Sequence, residues 1–436
     1  MNDALAVAFS RSCNNMQHAY MLAAGCLQPE EGLERKQPVQ VSVGVRRGRE
    51  AAPPARGPVF WQYGFRPFYL LASLFACVSL LLWVAQYAGI LPMPYLAGPL
   101  WHGHEMLFGF ATAVIAGFLL TAVATWTQQA PLRGAPLVAL ALLWLSARAL
   151  VLTPFPAAAT AANTLFPLMV AAAIAVPLIR TRNRRNLIFI GLLALLGLLA
   201  AVMHLALSGI FAVPAALGLQ AGLDVVLLVI VVIAGRVVPM FTNNGVPGAG
   251  ATRQPMLEHA APATIVLLLV ADLAQANTAV VGTLAALAAV VHAARLLLWR
   301  PWRTWGAPLV WILHAGYAWL ALHLALRCLA TLGWVTPSIA THALTVGAIG
   351  SMTIGMMTRT ARGHTGRPLQ AGAAEFAMFT LMQGAALVRV GGGIVTPGVF
   401  LASVQLSGLA WSIAFGLYAA TYWPVLTRPR IDGRPG

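Results

Sequence analysis

The sequence predicts an all-α membrane protein, a polytopic bundle of about twelve transmembrane helices with both termini in the cytoplasm. Three observations predict this fold class. Of the 436 residues, 59% are hydrophobic and only 9% are charged, and the mean hydropathy is +0.79. The apolar residues form long runs, and the basic residues lie between these runs. Because soluble domains carry about 25% charged residues, this composition cannot supply a water-exposed surface for so long a chain.

The apolar runs have the length of membrane-spanning helices. A helix of about 18–25 residues crosses the roughly 30 Å of bilayer hydrocarbon. The predicted spans are 68–90, 103–126, 135–153, 158–179, 186–210, 215–238, 259–276, 279–299, 307–331, 338–359, 371–390 and 397–424. The seventh and eighth spans are the least distinct, because the connection between them is short and only mildly polar.

The positions of the basic residues predict the orientation. Lys and Arg collect in cytoplasmic loops. With twelve crossings, 24 of the 27 basic residues fall on one side, and only Arg148, Arg327 and Arg389 fall on the other. The side with 24 is therefore predicted to be cytoplasmic. This distribution also accounts for the formal net charge of +16 without a nucleic-acid partner.

The chain outside the spans is short except at its beginning. Residues 1–57 contain no run long enough to span and carry mixed charge, so we expect a disordered or poorly ordered cytoplasmic extension. The membrane domain is predicted at 58–428, with a cytoplasmic tail at 429–436. No CxxC or CxxCH motif occurs among Cys13, Cys26, Cys77 and Cys328, which argues against a disulfide framework and against covalent haem attachment.

Ionisable side chains inside spans are the first candidates for function, since each costs roughly 2.5–3.5 kcal/mol on insertion scales. The embedded acids are Glu105, Asp224 and Asp272. Eight of the ten histidines lie in or at the ends of spans: His102, His104, His204, His259, His292, His314, His323 and His342. Imidazole binds haem iron and copper, so histidines at one depth on several helices predict metal binding or proton transfer. For any single histidine, a hydrogen bond to a neighbouring helix is the alternative.

Five of these histidines belong to the predicted outer half of the membrane, and two of them stand close together in the sequence. His102 and His104 are separated by about 200° around a helix, so they face two different sites unless one of them lies in a loop. Glu105 follows directly and is suited to orienting a histidine or relaying protons. The alternative for Glu105 is a simple interfacial carboxylate.

Several weaker candidates lie toward the predicted cytoplasmic side. His314 belongs to the inner half of its span, and Met356 is a possible soft ligand, although packing is the commoner role of such a methionine. Arg236 and Arg359 suit a phosphate or a propionate. The neighbouring polar residues are Asn243, Asn244 and His364. Topogenic charge and helix-end chemistry are the alternative explanation of both stretches. No Walker, GxGxxG, HExxH or GxSxG motif occurs.

Five ordered motifs resemble the NnrS family over residues 58–428. They are GFRPF at 64–68, WHGHEMLFGFATAVIA at 101–116, GRVVPMFTNNG at 235–245, HAGYAW at 314–319 and HALTVGAIGSMTIGMMTR at 342–359. The resemblance implies a bacterial inner-membrane protein that contains haem b and copper. It also implies a role in denitrification or in the response to nitric oxide and other nitrogen oxides, with such a small molecule as partner.

The resemblance ranks the candidate ligands. His102, His104, His314 and His342 lie in family motifs and are predicted to bind metal, with His104 and His342 foremost. Arg236 and Arg359 are predicted to assist cofactor binding. Glu105, Met356, His364, Asn243 and Asn244 are secondary candidates. His204, His292 and His323 lie outside the motifs and rank lower.

Two other classes of protein fit part of this pattern. A secondary transporter or channel for a small solute or metal would use embedded His, Asp and Glu in the same way. A reductase related to haem-copper oxidases is less well supported, since the His-Pro-Glu/Asp-type motif of their copper centre is missing. Whether the protein is an enzyme stays open at this point.

Overall fold

The computed structural model describes residues 58–87, 89–90, 95–96, 98–395 and 399–434. This part of the chain contains twelve long helices and no strand, as predicted. They are α1 (Phe65–Tyr87), α2 (Gly98–Thr127), α3 (Ala135–Leu150), α4 (Pro156–Arg180), α5 (Ile188–Leu207), α6 (Ala215–Gly245), α7 (Pro255–Leu273), α8 (Thr278–Leu298), α9 (Pro308–Thr331), α10 (Pro337–His364), α11 (Ala373–Val395) and α12 (Phe400–Thr427). The predicted extension 1–57, with Cys13 and Cys26, lies outside the described residues.

Eleven of these helices are long and apolar enough to cross a membrane. The exception is α3, which has 16 residues and ends at Leu150 rather than at the predicted residue 153. Large apolar side chains stand exposed on the surface of the bundle, among them Val290 at 68% and Leu387 at 62%. An apolar surface of this kind suits contact with lipid.

Two of the helices that continue beyond their predicted ends do so through polar stretches. Hydropathy placed these ends at residues 238 and 359, whereas α6 runs to Gly245 and α10 to His364. The polar stretches there form the last turns of helices. Hydropathy marks the edge of the hydrocarbon, but helical hydrogen bonds continue through polar residues, and Thr242 adds a bond of 2.8 Å from its hydroxyl to the Val238 carbonyl.

Two helices contain a π-helical stretch. In α2 it covers Glu105–Ala111, and in α10 it covers Ala343–Gly350. Each stretch begins at the residue that follows a candidate ligand, His104 or His342. π-Helical turns are rare and occur frequently at functional sites, because the wider turn shifts the direction of the side chains on either side of it.

α2 lies at the centre of the bundle. Its apolar window is 83% buried, the highest share among the eleven spans. It contacts α1, α3, α4 and α6. Its first turns therefore carry His102 and His104 into the interior, among helices that supply their neighbours.

Candidate metal centres

The first centre is a pair of histidines from α2 and α5. The Nε2 atoms of His104 and His204 lie 3.0 Å apart, and both side chains are fully buried. Since metal–imidazole bonds are about 2.0–2.1 Å long, two nitrogens at this separation are close enough to bind one metal ion.

Each of the two rings is oriented through its other nitrogen. The Nδ1 of His104 is 2.7 Å from the Glu105 carboxylate. The Nδ1 of His204 is 2.8 Å from the Tyr95 hydroxyl. A carboxylate or other polar group on the far nitrogen is the usual way in which proteins fix the tautomer and direction of a ligating histidine. The arrangement leaves the two Nε2 atoms directed at each other.

Glu105 is itself held by a buried arginine. Arg148 of α3 donates to the Glu105 carboxylate at 2.5 Å, and its other terminal nitrogen donates to the Asn163 side-chain oxygen. Gly109 makes room for the guanidinium, since a Cβ there would lie 2.6 Å from an Arg148 nitrogen. The charge of Glu105 is thus compensated inside the protein, which makes a buried carboxylate tolerable beside His104.

Tyr95 lies in the loop between α1 and α2 and stays a neutral phenol, because burial raises the pKa of its hydroxyl. The hydroxyl can donate or accept a hydrogen bond, so the Nδ1 of His204 has a partner in either tautomer of the ring. In one, the Nε2–H of His204 donates to His104. In the other, the Nδ1–H of His204 donates to Tyr95, and both Nε2 lone pairs are available to a cation.

The second centre joins the starts of α2 and α10. The rings of His102 and His342 are nearly parallel, with an interplanar angle of 7° and centroids 6.4 Å apart. Trp83 of α1 lies against His102, with centroids 5.0 Å apart. Two imidazoles at this separation are near enough for both to contribute a nitrogen ligand to one metal, given metal–nitrogen bonds of about 2.0–2.1 Å.

Polar atoms at the second centre have spare bonding capacity. The Nδ1 of His342 is 2.7 Å from the Ser338 carbonyl oxygen, which fixes that ring. Arg389 of α11 donates to the Ser338 hydroxyl at 3.2 Å. The other terminal nitrogen of Arg389 and the Nδ1 of His102 are buried and have no hydrogen-bond partner among the described residues. An anionic group would satisfy the Arg389 nitrogen, and a metal ion or a hydrogen-bond donor would satisfy a lone pair on the His102 nitrogen.

Other predicted residues lie away from both centres. His314 is buried near the opposite end of the bundle, with its Nε2 2.8 Å from the Thr242 hydroxyl. Its Nδ1 has no partner within the described part of the chain. Asn243 bonds both backbone groups of Ala251, at 2.8 and 2.9 Å, and so closes the turn after α6. Two further predicted residues also lie away from the centres. Asn244 is exposed, and His364 packs near Phe65.

An apolar crevice lies between α1, α2, α6 and α10. Met352 and Met356 line it, and no histidine does. Arg359 follows one turn after Met356 and stacks on Phe241 at 3.8 Å from the ring centroid. Arg236 is engaged by the protein, since it donates to the Asn186 oxygen at 2.6 Å. The crevice therefore offers thioether sulfur and apolar surface but no imidazole.

The structure separates His102 from His104 as their spacing predicted, because each joins a different pair. It also places His104 and His342, the two foremost candidates, in different centres. His204 ranked low among the predicted ligands because it lies outside the family motifs. No role was predicted for Tyr95, Arg148 or Arg389. One signal pointed to the arginines: Arg148 and Arg389 are exceptions to the charge asymmetry, and both are only 7% exposed.

Neither centre is a complete protein cage. Within the described ranges, no group of three or more His, Cys, Asp and Glu side chains is arranged to hold a metal ion. A metal held by the His104–His204 pair alone would keep open coordination positions. Open positions are typical of centres that bind an exogenous molecule, whereas structural metal sites are closed.

The fold and these centres define a polytopic helical membrane protein with one buried and one half-buried pair of histidines, both suited to metal binding. The family model described as NnrS protein matches residues 59–430, so the chain belongs to the NnrS family. This confirms the resemblance read from the five motifs. No curated protein matches the chain.

Proposed function

We propose that this protein binds haem b and copper in the bacterial inner membrane and acts in the response to nitric oxide or other nitrogen oxides, including those of denitrification. The observation that carries the proposal is the His104–His204 pair, whose Nε2 atoms lie 3.0 Å apart and whose Nδ1 atoms are both engaged. Membership of the NnrS family supports the choice of cofactors and the biological role.

Copper is proposed at the His104–His204 pair. Nitrogen ligands suit copper, and both histidines are fully buried. Glu105 would hold the His104 ring in one tautomer, and Arg148 would compensate the charge of that carboxylate. The Tyr95 hydroxyl would accept a hydrogen bond from the Nδ1 of His204 or donate one to it, according to the tautomer of the ring. Copper bound here would supply one-electron chemistry and an open position for a small molecule.

Haem is proposed at the His102–His342 pair. His102, with its unpartnered nitrogen, and His342, with its ring parallel to that of His102, would hold haem non-covalently, in keeping with the lack of a CxxCH motif. Arg389 would pair with a propionate, since one of its nitrogens is buried without a partner in the described region. Trp83 would pack against the His102 ring. This choice fits better than the crevice, which lacks histidine.

The charge asymmetry supports placing both centres in the outer half of the membrane, with the termini in the cytoplasm. His102 and His104 open α2, His342 lies in the second turn of α10, and His204 is in the last turn of α5. All four positions are at one end of the bundle. A small nitrogen oxide entering from the periplasm would reach this end first.

The test is optical and metal analysis of purified full-length protein from haem-sufficient, copper-replete cells. The expected result is a Soret band together with copper that survives chelator washing. Colourless, metal-free protein would refute the proposal.

A second candidate function is transport of a small solute or metal. The observation that favours it is a cluster of embedded charges on α6, α7 and α9, formed by Asp224, Asp272 and Arg327. Ionisable groups in such positions often belong to ion or proton pathways. Uptake into proteoliposomes by protein without a stable cofactor is the result that would favour transport over the haem and copper proposal.

A further inference from the structure

Two buried carboxylates share one arginine at the ends of α7 and α9. Arg327 donates to the Asp224 carboxylate at 3.1 Å through one terminal nitrogen. Its other terminal nitrogen donates to the Asp272 carboxylate. Gln220, one turn before Asp224, donates to the same Asp224 oxygen at 3.3 Å. We call Asp224, Asp272 and Arg327 the aspartate triad.

The charges of the aspartate triad do not balance when both acids are ionised, because two negative groups then face one positive group. The net charge is −1 in a largely buried region. Asp224 is fully buried, and its second oxygen has no hydrogen-bond partner within the described ranges. An ionised carboxylate with a bare oxygen in such a place is costly, and binding one proton removes the excess charge.

The aspartate triad extends from the membrane edge inward. Asp272 lies in the last turn of α7, and its side chain is 10% exposed. Asp224 lies nine residues into α6, which places it about 14 Å along the helix from Ala215. Arg327 bridges the two depths. A proton that reaches Asp272 from the surface therefore has a second acceptor, Asp224, directly across the guanidinium.

We propose that the aspartate triad is a proton-binding site, in which the two carboxyl groups share one proton at neutral pH. The step is the formation of one O–H bond with a proton from the adjacent aqueous phase, and it changes the net charge of the triad from −1 to zero. This site is separate from both histidine pairs.

The helices packed against α6 carry further ionisable side chains. On α9, His323 has its Nδ1 2.7 Å from the Ala340 carbonyl oxygen, and its Nε2 has no hydrogen-bond partner within the described ranges. On α5, His204 is engaged by His104 and Tyr95. On α2, Glu105 is engaged by Arg148 and His104. Arg327 is therefore the cation that bonds Asp224 directly.

A second acid on α7 provides an internal comparison. Glu258 lies at the other end of that helix, where Arg295 of α8 binds both of its oxygens, at 2.6 and 3.1 Å. Glu258 is 15% exposed, and Arg253 lies 3.8 Å from it as a second cation. This acid therefore lacks the excess negative charge of the aspartate triad.

The composition of the chain makes a direct test possible. It contains four aspartates, and only Asp224 and Asp272 lie inside predicted spans, while Asp3 precedes them and Asp432 follows them. Full-length protein labelled with ¹³C at the aspartate side-chain carboxyl is compared with unlabelled protein by infrared spectroscopy at neutral pH. The expected result is a protonated carboxylic acid band that shifts with the label and in D₂O.

Three variants complete the test. Asp224→Asn and Asp272→Asn are each expected to remove the band, because either change leaves one carboxylate balanced by Arg327. Glu258→Gln is expected to leave the band unchanged. A wild-type protein whose labelled aspartates give only ionised carboxylate bands would overturn the proposal. A protonated band that survives both Asp variants would also overturn it. A band that disappears when sodium replaces choline in the buffer would also overturn it, in favour of a cation site.

Discussion

The Nε2 atoms of His104 and His204 lie 3.0 Å apart, although the residues are separated by 100 positions in the sequence. Both rings are fully buried, and each has its other nitrogen engaged, by Glu105 or by Tyr95. An arrangement in which two imidazole nitrogens converge and the remaining two are fixed is what a metal ion with nitrogen ligands requires.

Replacing His204 with Ala is expected to remove copper and to leave the haem spectrum intact, because His204 belongs to one centre only. Copper content by mass spectrometry and the Soret absorbance are measured on the same sample. His292→Ala is the matched control, since His292 is also fully buried and has its Nδ1 2.7 Å from a tyrosine hydroxyl, that of Tyr317. Equal copper loss in both variants would show a general packing defect instead of a lost ligand.

Glu105→Gln is expected to weaken copper binding about 10–100-fold, because groups that orient a metal-ligating histidine contribute on this scale. The affinity is measured by competition with a copper chelator. Glu258→Gln is the control, because it removes a different buried acid that is also bound to an arginine. An unchanged affinity in Glu105→Gln, with Arg148 left uncompensated, would contradict the orienting role of Glu105.

Arg389→Gln is expected to lower haem content and to shift the midpoint potential of the remaining haem to more negative values. A buried positive charge near haem stabilises the reduced state, and removing it favours the oxidised state. Arg389→Lys keeps the charge and is expected to stay close to the wild-type potential. Spectroscopic redox titration checks both variants, and identical potentials in all three proteins would place Arg389 away from the haem.

The sequence predicted the helices well because bilayer thickness fixes both their length and their apolar character. The opposite directions of His102 and His104 were predictable too, since they follow from helical geometry alone. His204 was ranked low because it lies in a plain apolar run, and its partner is brought to it only by the packing of α2 against neighbouring helices. The π-helical stretches after His104 and His342 left no recognised trace in the residue pattern.

The exceptions to the charge asymmetry carry structural information of their own. The three basic residues on the sparse side are Arg148, Arg327 and Arg389, and each is largely buried among polar partners. Arginines with a topological role belong in loops, so these exceptions marked the interior sites. Their partners could not be assigned without the fold, because the contacts join helices that are far apart in sequence.

The orientation of the bundle is open to a direct prediction. A fusion of alkaline phosphatase after Gly209, between α5 and α6, is expected to be active, because this enzyme folds only outside the cytoplasm. A fusion after Arg182, between α4 and α5, is expected to be inactive. Fluorescent protein fusions at the same two positions should give the reverse pattern. Activity at Arg182 and not at Gly209 would invert the predicted topology and place both centres toward the cytoplasm.

The most direct test compares His102→Ala with His104→Ala, two changes only two residues apart on the same helix. Haem absorbance and copper content are measured on each purified variant and on the wild-type protein. The account predicts a reciprocal result, in which His102→Ala loses haem and keeps copper, while His104→Ala loses copper and keeps haem. Loss of the same cofactor in both variants, or of neither, would contradict the assignment of the two histidine pairs to two separate centres.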